Sequence, residues 1–226
     1  MARNVLPHVA NTHDFVDGLH NCLDENGLLV LEVHYAKKIN EELHYDSIYH
    51  EHLCYFTLKS LENLLNNHGL FVTDIGKSPI SGGSIVVYAN KKKSLEEQAV
   101  QSYRNLEKES GINKIDAWKD FTKRTESHRE EMLRVLKEAT KDGLTVGYGA
   151  SARSSTLLNY CGIGRQVIPM IADQNQLKQG YYTAGTHIPI DRPENVMKSN
   201  PKGVFILAWN FGDEIIKTLK EKYNFK

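Results

Sequence analysis

The densest group of proton-transfer side chains lies within residues 45–56, centred on Tyr49-His50-Glu51-His52. Imidazole has an unperturbed pKa close to neutrality, and a general base works best when its pKa lies near the operating pH. The run therefore predicts acid–base catalysis, with a solvated loop anchored by aromatic side chains as the competing interpretation. A zinc site is disfavoured, because the helical His-Glu-x-x-His pattern of zinc hydrolases is absent.

Composition excludes several classes of partner. The 226 residues have room for one or two domains, and we expect two. Lys plus Arg equals Asp plus Glu, at 28 each, so no net basic field attracts nucleic acid or an anionic membrane. No apolar run approaches the ~18 residues of a spanning helix. Cys22, Cys54 and Cys161 are widely spaced and odd in number, which favours reduced thiols in a cytoplasmic protein.

The first part of the chain alternates helix and strand. Apolar spacing predicts a helix over residues 14–23, and Asn26-Gly27 ends it before a buried strand at 28–33. That strand is apolar enough to be covered on both faces, as in parallel sheets. The pattern further predicts a helix at 58–67 and a hairpin of strands at 70–75 and 84–89.

The second part begins with a charge-rich segment, residues 94–141, which predicts one or two amphipathic helices interrupted at Gly111. A strand entering a glycine turn follows at 144–153, and alternation of strand and helix then indicates a small Rossmann-like domain. The predicted helices lie at 154–160, 193–198 and 213–222, and the predicted strands at 167–173 and 204–209.

The glycine turn has the spacing Gly147-x-Gly149-x-x-Ala152, with Asp173 at the end of the next predicted strand. This fits the dinucleotide fingerprint in its Gly/Ala form. Glycines allow the backbone to approach a pyrophosphate, and the N-terminus of the following helix favours anionic oxygens. An acid at the position of Asp173 often binds a ribose hydroxyl.

Neighbouring side chains extend this candidate binding site. Ser151, Ser154 and Arg153 offer hydroxyl and guanidinium contacts, and the loop 178–190, which contains His187, is suited to walling a pocket. The ligand could equally be NAD or the nucleotide of a nucleotide-sugar. A tight strand-to-helix turn and a structured loop, both without a ligand, are the simpler interpretations.

Several of these motifs, taken in order, resemble SAM-dependent sugar C-methyltransferases, and the likeness covers nearly the whole chain. The segments that carry the resemblance are Asn4–Val9, Tyr45–Phe56, Ile80–Ser84, Gly147–Ser151 and Gly185–Ile190.

The resemblance implies an α/β fold in three parts. Residues 1–93 correspond to the C-terminal half of a class I SAM-dependent methyltransferase domain, 94–143 to a helical linker, and 144–226 to a Rossmann-like domain that binds the sugar nucleotide. Family members also have a Cys-rich zinc module and a Gly-rich turn that cradles SAM. Neither precedes Asn4, so we expect the chain to be a fragment, one piece of a split enzyme or a degenerate copy, with most of the SAM-binding half outside it.

The resemblance also implies a reaction and its residues. A nucleotide-linked keto-deoxysugar loses a proton from the carbon next to its carbonyl and is methylated there by SAM. His52 matches the general base, Tyr49 and Glu51 match neighbouring active-site groups, and His8 matches the histidine after the fourth strand of the SAM domain. The expected substrate-binding residues are Gly147, Gly149, Ser151, Arg153, Asp173 and His187.

Two other functions remain open. The chain could be a non-catalytic module that binds nucleotide-sugars, or an NAD-dependent oxidoreductase that uses the glycine turn and Asp173. The oxidoreductase interpretation leaves the Tyr49–His52 run without a role. No metal is expected, and the expected partners are the sugar nucleotide and a separate N-terminal half, with no nucleic acid or membrane.

Overall fold

The computed structural model describes residues 1–225 and divides the chain into two compact units. Unit 1 comprises Met1–Tyr45 and His50–Arg124, and unit 2 comprises Asp46–Tyr49 together with the chain from Thr125 onward. The boundary at Arg124 falls inside a long helix, and a second boundary falls between Tyr49 and His50. The domain limits expected from the resemblance, after residues 93 and 143, stay predictions.

Unit 1 is built on one mixed sheet. Its elements are β1 (Ala2–Arg3), α1 (Thr12–Cys22), β2 (Leu29–His34), α2 (Ala36–Glu41), α3 (Leu58–Asn66), β3 (Phe71–Ser78), β4 (Ser84–Asn90), α4 (Gln98–Ser110) and the first part of α5 (Ile115–Ala139). The strand order is β1-β2-β4-β3, with β1 parallel to β2 and the other neighbours antiparallel. The predicted hairpin is confirmed as β3 and β4. The two-residue strand β1 is too short to show a sequence pattern.

One face of this sheet carries the core of unit 1. Side chains alternate along a strand, and Leu29, Leu31 and Val33 of β2 belong to the buried cluster. Helices α1, α3 and α4 contribute to the same cluster. Their members there are Val16, Leu58, Leu61, Leu64, Leu65, Val100 and Tyr103.

The other face of β2 carries Glu32, which is only 2% exposed. Its carboxylate accepts hydrogen bonds from Arg3 Nε and Ser78 Oγ, both at 2.5 Å. Burial opposes ionisation, but the hydrogen bonds from Ser78 and Arg3 and the charge of Arg3 hold the pKa of Glu32 below its ordinary value. This carboxylate therefore ties β1, β2 and β3 together on the polar face.

A second buried carboxylate, Glu107 of α4, caps α3. It accepts hydrogen bonds from the backbone N–H groups of Leu58 (2.5 Å) and Lys59 (3.2 Å), from Tyr35 Oη (3.0 Å) and from Asn113 Nδ2 (3.0 Å). The first N–H groups of a helix have no partner within the helix, and the helix dipole favours a negative charge there. Glu107 thus fixes α4 to the start of α3.

Tyr35 makes the stability of unit 1 sensitive to alkaline pH. Burial, and then the adjacent charge of Glu107, raise the pKa of Tyr35 above its usual value of 10.0. Below pH 10 the phenol is protonated in both the folded and the unfolded chain, and its full contribution to the free energy of unfolding is present. Above pH 10 the unfolded chain loses this proton first, so the free energy of unfolding falls, by at most about 1.4 kcal/mol per pH unit.

Urea unfolding between pH 9 and 11.5 measures this slope. We expect Tyr35→Phe to reduce this slope. A part of the slope should remain, because burial also raises the pKa of Tyr103. Tyr181→Phe, on an exposed tyrosine, is the matched control and should leave the slope unchanged. An equal slope in Tyr35→Phe and the unsubstituted chain would contradict the assignment.

The charge-rich segment forms two helices, as predicted. Gly111 ends α4 in the left-handed conformation at φ +65°, and α5 follows with 25 residues. Although α5 is long, neither it nor any other helix within residues 1–225 is both long enough and apolar enough to span a membrane.

Unit 2 contains a four-stranded parallel sheet. Its elements are the remainder of α5, β5 (Thr145–Tyr148), α6 (Ala152–Cys161), β6 (Ile171–Ala172), β7 (Ile190–Asp191), α7 (Pro193–Lys198), β8 (Gly203–Ile206) and α8 (Gly212–Tyr223). The order β7-β6-β5-β8, all parallel, confirms the predicted α/β arrangement. Both faces are covered: α5 and α6 share one buried cluster with the sheet, and α7 and α8 share the other.

Two predicted strands of unit 2 are shorter than their apolar runs. Before β6, the N–H groups of Val167 and Ile168 both donate to the Gly164 carbonyl in a turn, so this part of the run is buried without joining the sheet. After β8, the chain enters a short 3-10 helix, Trp209–Phe211. Apolar runs report burial, and burial alone does not define a strand.

Candidate functional site

The structure brings His8 and His52 together in unit 1. His8 ends a short 3-10 helix, Leu6–His8, that follows β1. The segment after His52 is bonded to that helix, because the Leu53 N–H donates to the Pro7 carbonyl at 2.8 Å. The two imidazole rings lie edge to face, with centroids 4.8 Å apart and planes at 61°. Residues 44 positions apart in sequence thus form one histidine pair.

The surroundings of His52 suit proton transfer. The residue is half-buried, and the ring of Tyr55 stands at 84° to it with centroids 6.3 Å apart. His8 and Glu51 are exposed, and Glu51 Oε1 lies 4.0 Å from His50 Nε2. A partly desolvated imidazole held by neighbouring rings has a fixed orientation, which general-base catalysis requires.

Tyr49 belongs to unit 2, with Asp46 at the start of the same segment. Asp46 is 4% exposed, and its Oδ2 accepts a hydrogen bond from Trp209 Nε1 at 2.6 Å. Arg153 lies over the Trp209 ring at 5.5 Å. Asp46 and Trp209 were missed from the sequence. Asp46 lies within the recognised run, but no local pattern links it to a residue 163 positions away.

The glycine turn is shaped by packing. Gly147 lies inside the sheet, where a Cβ would come within 2.7 Å of Ile171 Cγ1. Gly149 has φ +97°, and a Cβ there would lie 2.5 Å from Ala208 Cβ. Both positions therefore require glycine for steric reasons, and this explains the motif without any ligand.

We expect Gly149→Ala to lower the free energy of unfolding by about 2–4 kcal/mol, because it adds overpacking to the strain of a positive φ. Gly162→Ala is the matched control, with φ +68° but no atom within 4 Å, and should cost only about 1 kcal/mol. Urea unfolding of both variants measures the difference. An equal loss of free energy of unfolding in the two variants would show that the chain avoids the clash with Ala208 without an energetic penalty.

The N–H groups of the turn are bonded within the chain. Ala150 N donates to Asp173 Oδ2 at 2.7 Å. Ser151 N donates to Ser154 Oγ at 2.6 Å, and Ser154 N donates to Ser151 Oγ at 3.1 Å, which forms a capping box on α6. Asp173 Oδ1 accepts from Asn175 N at 2.8 Å. Each Asp173 oxygen thus already has a backbone partner, and the carboxylate braces the turn.

A cleft of about 440 Å³ opens at this edge of the parallel sheet. Its lining combines aromatic, apolar and charged groups: Tyr148, Gly149, Ser151, Asp173, Gln174, Lys178, Ala208, Phe211, Glu214, Ile215 and Thr218. Lys178, the first residue of the loop 178–190 that the sequence suggests as a pocket wall, lies in this lining, and its Nζ donates to the Ala150 carbonyl at 2.6 Å. Ligands of open α/β sheets bind outside the carboxyl ends of the strands, which is where this cleft lies.

Three of the six predicted substrate-binding residues, Gly149, Ser151 and Asp173, line the cleft. Gly147, Arg153 and His187 are not in its lining. His187 is exposed on its loop with φ +52°, and the Arg153 guanidinium lies over the Trp209 ring. Within residues 1–225, no group of three or more His, Cys, Asp or Glu side chains is arranged to hold a metal ion.

The fit of SAM to unit 1 depends on its strand-to-helix turns. The residues after β1 and β2, which are the parallel strands of this unit, include no glycine before the next helix. The Ile80–Ser84 glycines lie instead in the connection between β3 and β4, an antiparallel pair. The described part of unit 1 therefore lacks the backbone cradle that a nucleotide cofactor needs.

Comparison with known proteins identifies the class. A family model described as methyltransferase domain matches residues 1–75, and one described as C-methyltransferase C-terminal domain matches residues 79–225. The chain therefore belongs to the C-methyltransferase family, and its mixed α/β architecture is the Rossmann-like methyltransferase fold.

A curated relative is similar over most of the chain. The C-methyltransferase NovU of Streptomyces niveus is 36% identical over 222 residues, which are 97% of this chain and 53% of the relative. The chain thus spans about half the length of that relative.

Proposed function

We propose that the chain forms part of an enzyme that transfers a methyl group from SAM to a carbon next to the keto group of a nucleotide-linked deoxysugar. The observation that carries the proposal is the pairing of His8 with the half-buried His52, 4.8 Å apart between ring centroids, in a member of the C-methyltransferase family. Carbon is a poor nucleophile, so such a transfer needs a base that removes a proton from it.

In the proposed mechanism His52 takes the proton from the carbon next to the carbonyl. The electron pair of that C–H bond enters the enolate, which then forms the new C–C bond. SAM, when bound, would supply the electrophilic methyl group, whose bond to sulfur breaks with the electron pair kept by the sulfur. His8 holds the His52 ring at its edge, and Tyr49 and Glu51 hydrogen-bond and orient the sugar. A donor preorganised at the enolate oxygen lowers the barrier.

We assign the nucleotide to the cleft of unit 2. The exposed ring of Phe211 offers apolar surface to a base, and the ammonium of Lys178 offers charge to phosphate. Gly149, Ser151 and Asp173 shape this cleft, Gly147 allows the strand to pack beneath it, and Arg153 and His187 are proposed as further contacts.

We further infer that SAM is bound mainly by residues outside this chain, in a part that corresponds to the remainder of the longer relative. The absence of a glycine turn after β1 and β2 supports this division. His52 and its neighbours would then act on the sugar, while the additional half holds the methyl donor.

The decisive experiment pairs this chain with the part of NovU that it does not span. Methyl-labelled SAM and a panel of nucleotide-linked keto-deoxysugars are added, and label in the sugar carbon is measured by mass spectrometry. We expect transfer only when both polypeptides are present. A chain that folds and binds the second half, yet yields no product with any keto-sugar, would refute the proposal.

A nucleotide-sugar-binding module without catalysis is the second candidate, favoured by a cleft that lies entirely within unit 2. Calorimetry combined with the transfer assay distinguishes this module from the methyltransferase, since the module would bind a nucleoside diphosphate without any methyl transfer. An NAD-dependent oxidoreductase is less well supported, because both Asp173 oxygens already accept backbone N–H groups and are poorly placed for a ribose diol. An NADH titration tests it.

A further inference from the structure

Four residues of the run that carries the proposed base belong to unit 2. These are Asp46–Tyr49, whereas Tyr45 and the residues from His50 onward belong to unit 1. His52 lies only three residues after Tyr49. Three residues of fully extended chain reach at most about 11 Å. Whatever fixes Asp46–Tyr49 within unit 2 therefore limits where the backbone that leads to His52 can begin.

A hydrogen bond from Trp209 holds the start of this segment. Trp209 Nε1 donates to Asp46 Oδ2 at 2.6 Å, and Asp46 is only 4% exposed. The next residue, Ser47, is completely buried. Hydrogen bonds to a carboxylate are shorter and stronger than those between neutral groups, so this contact fixes the chain at Asp46.

Stability alone does not account for this buried carboxylate. Asp46 Oδ1 is buried, and within residues 1–225 it has no hydrogen-bond partner. A buried carboxylate oxygen without a partner lowers the stability of a fold. Departures of this kind are expected where a residue serves function. The contact between Asp46 and Trp209 is therefore a candidate for a functional role.

Trp209 adjoins the wall of the proposed nucleotide cleft. It follows Ala208 and begins the 3-10 helix Trp209–Phe211, and both Ala208 and Phe211 line the cleft. The Phe211 N–H donates to the Ala208 carbonyl at 2.9 Å and so closes this turn. Phe211 is 56% exposed, so a ligand that packs on its ring would cover it. The turn that carries Trp209 is thus part of the surface that a nucleotide would contact.

A second lining segment also reaches Trp209. The Arg153 guanidinium lies 5.5 Å from the centroid of the Trp209 ring. Arg153 is the second residue of α6, and Ser151, which caps this helix, lines the cleft. The indole is therefore placed next to two segments that form the cleft, and its N–H is bonded to the run that leads to His52.

We propose that Asp46 and Trp209 are positioning residues of the methyl transfer. A nucleotide in the cleft orders the turn 208–211, the indole of Trp209 then holds Asp46, and Asp46 fixes the start of the segment that ends at His52. Binding energy from the nucleotide, remote from the reacting carbon, is thereby used to align the base. The inference rests on the proposed function for the roles of His52 and of the cleft.

The hydrogen bond is tested by fluorescence of this chain alone. The sequence has two tryptophans, so Trp118→Phe leaves Trp209 as the only one. In this background, Asp46→Ala should shift the emission maximum of the ligand-free chain, because the indole N–H loses its carboxylate acceptor. Asp142→Ala, on an exposed acid of the same unit, should cause no shift. An unchanged spectrum in Asp46→Ala would overturn the proposal.

The response to nucleotide is measured in the same single-tryptophan chain. We expect dTDP, UDP or GDP to change the Trp209 emission with the same concentration dependence that calorimetry gives for binding. Binding without a change in emission would overturn the coupling and leave the proposed function intact. If none of the three diphosphates binds, the assignment of the nucleotide to the cleft fails, and the coupling fails with it.

The role of the pair is tested in the two-part enzyme. Trp209→Phe keeps an aromatic ring but removes the N–H, and should lower kcat about 10–100-fold with nearly unchanged nucleotide binding. Exchange of the sugar hydrogen with deuterated solvent should fall by the same factor, since alignment of the base is lost. Asp46→Asn, which keeps an acceptor oxygen, should lose less activity than Asp46→Ala.

The matched control is Trp118→Phe, which removes an indole hydrogen bond to the Ile112 carbonyl (3.0 Å) in unit 1. This variant should keep both exchange and methyl transfer. If Trp209→Phe weakens nucleotide binding as much as it lowers kcat, or if exchange is undiminished, the positioning role is wrong. If even the unsubstituted pair transfers no methyl group, the proposed function fails, while the Trp209 titration still decides whether the contact responds to nucleotide.

Discussion

His52→Gln is expected to lower the methyl-transfer kcat of the two-part enzyme by about 10²–10⁴, because it removes the proposed general base. Glutamine keeps similar size and polarity but cannot accept the proton at neutral pH. The clearest measurement omits methyl transfer and follows exchange of the sugar hydrogen with deuterated solvent, which reports proton removal alone. Exchange should be abolished in this variant, with little change in nucleotide binding.

The matched control is His50→Gln, two positions away in the same run and 86% exposed at its side chain. This variant should exchange and methylate at nearly the rate of the unsubstituted enzyme. Undiminished exchange in His52→Gln would show that His52 is not the general base. Equal losses in both variants would indicate that the run is required for its conformation and not for an individual imidazole.

Glu107→Ala is expected to reduce the stability of unit 1 by about 3–5 kcal/mol, the largest stability effect that we predict. It leaves Tyr35 Oη and the Leu58 N–H without an acceptor in a site that is 3% exposed, and unsatisfied buried donors cost about 1–3 kcal/mol each. It also removes the charge that favours the N-terminus of α3. Urea unfolding followed by circular dichroism measures the loss.

Two comparisons sharpen this result. Glu107→Gln keeps one acceptor oxygen and should cost less than Glu107→Ala. Glu109→Ala, on the same helix but exposed, should change the free energy of unfolding by less than about 0.5 kcal/mol. If Glu107→Ala is no more harmful than Glu109→Ala, water or local rearrangement satisfies the donors, and Glu107 adds nothing to the N-terminal cap that Thr57 provides for α3.

Local patterns were sufficient for much of the fold. The helices α1, α3, α7 and α8 lie within a few residues of their predicted limits, because an amphipathic period and its capping residues are properties of a short segment. The short strands β1 and β7 were not predicted, since two residues carry no periodicity.

For the candidate site, too, some features followed from short-range sequence patterns and others only from the tertiary structure. The sequence alone determined that residues 45–56 hold the densest proton-transfer groups, that a glycine turn follows β5 and that Asp173 comes directly after β6, since each is a matter of residue type and short spacing. Only the tertiary structure decided that the ring of His8 contacts that of His52 and that Trp209 donates a hydrogen bond to Asp46. It also decided that the Asp173 carboxylate accepts a hydrogen bond from the glycine turn. The physical reason is that each of these contacts joins segments that are well separated along the chain, and a ring contact or a hydrogen bond depends on positions in space that short-range patterns do not encode.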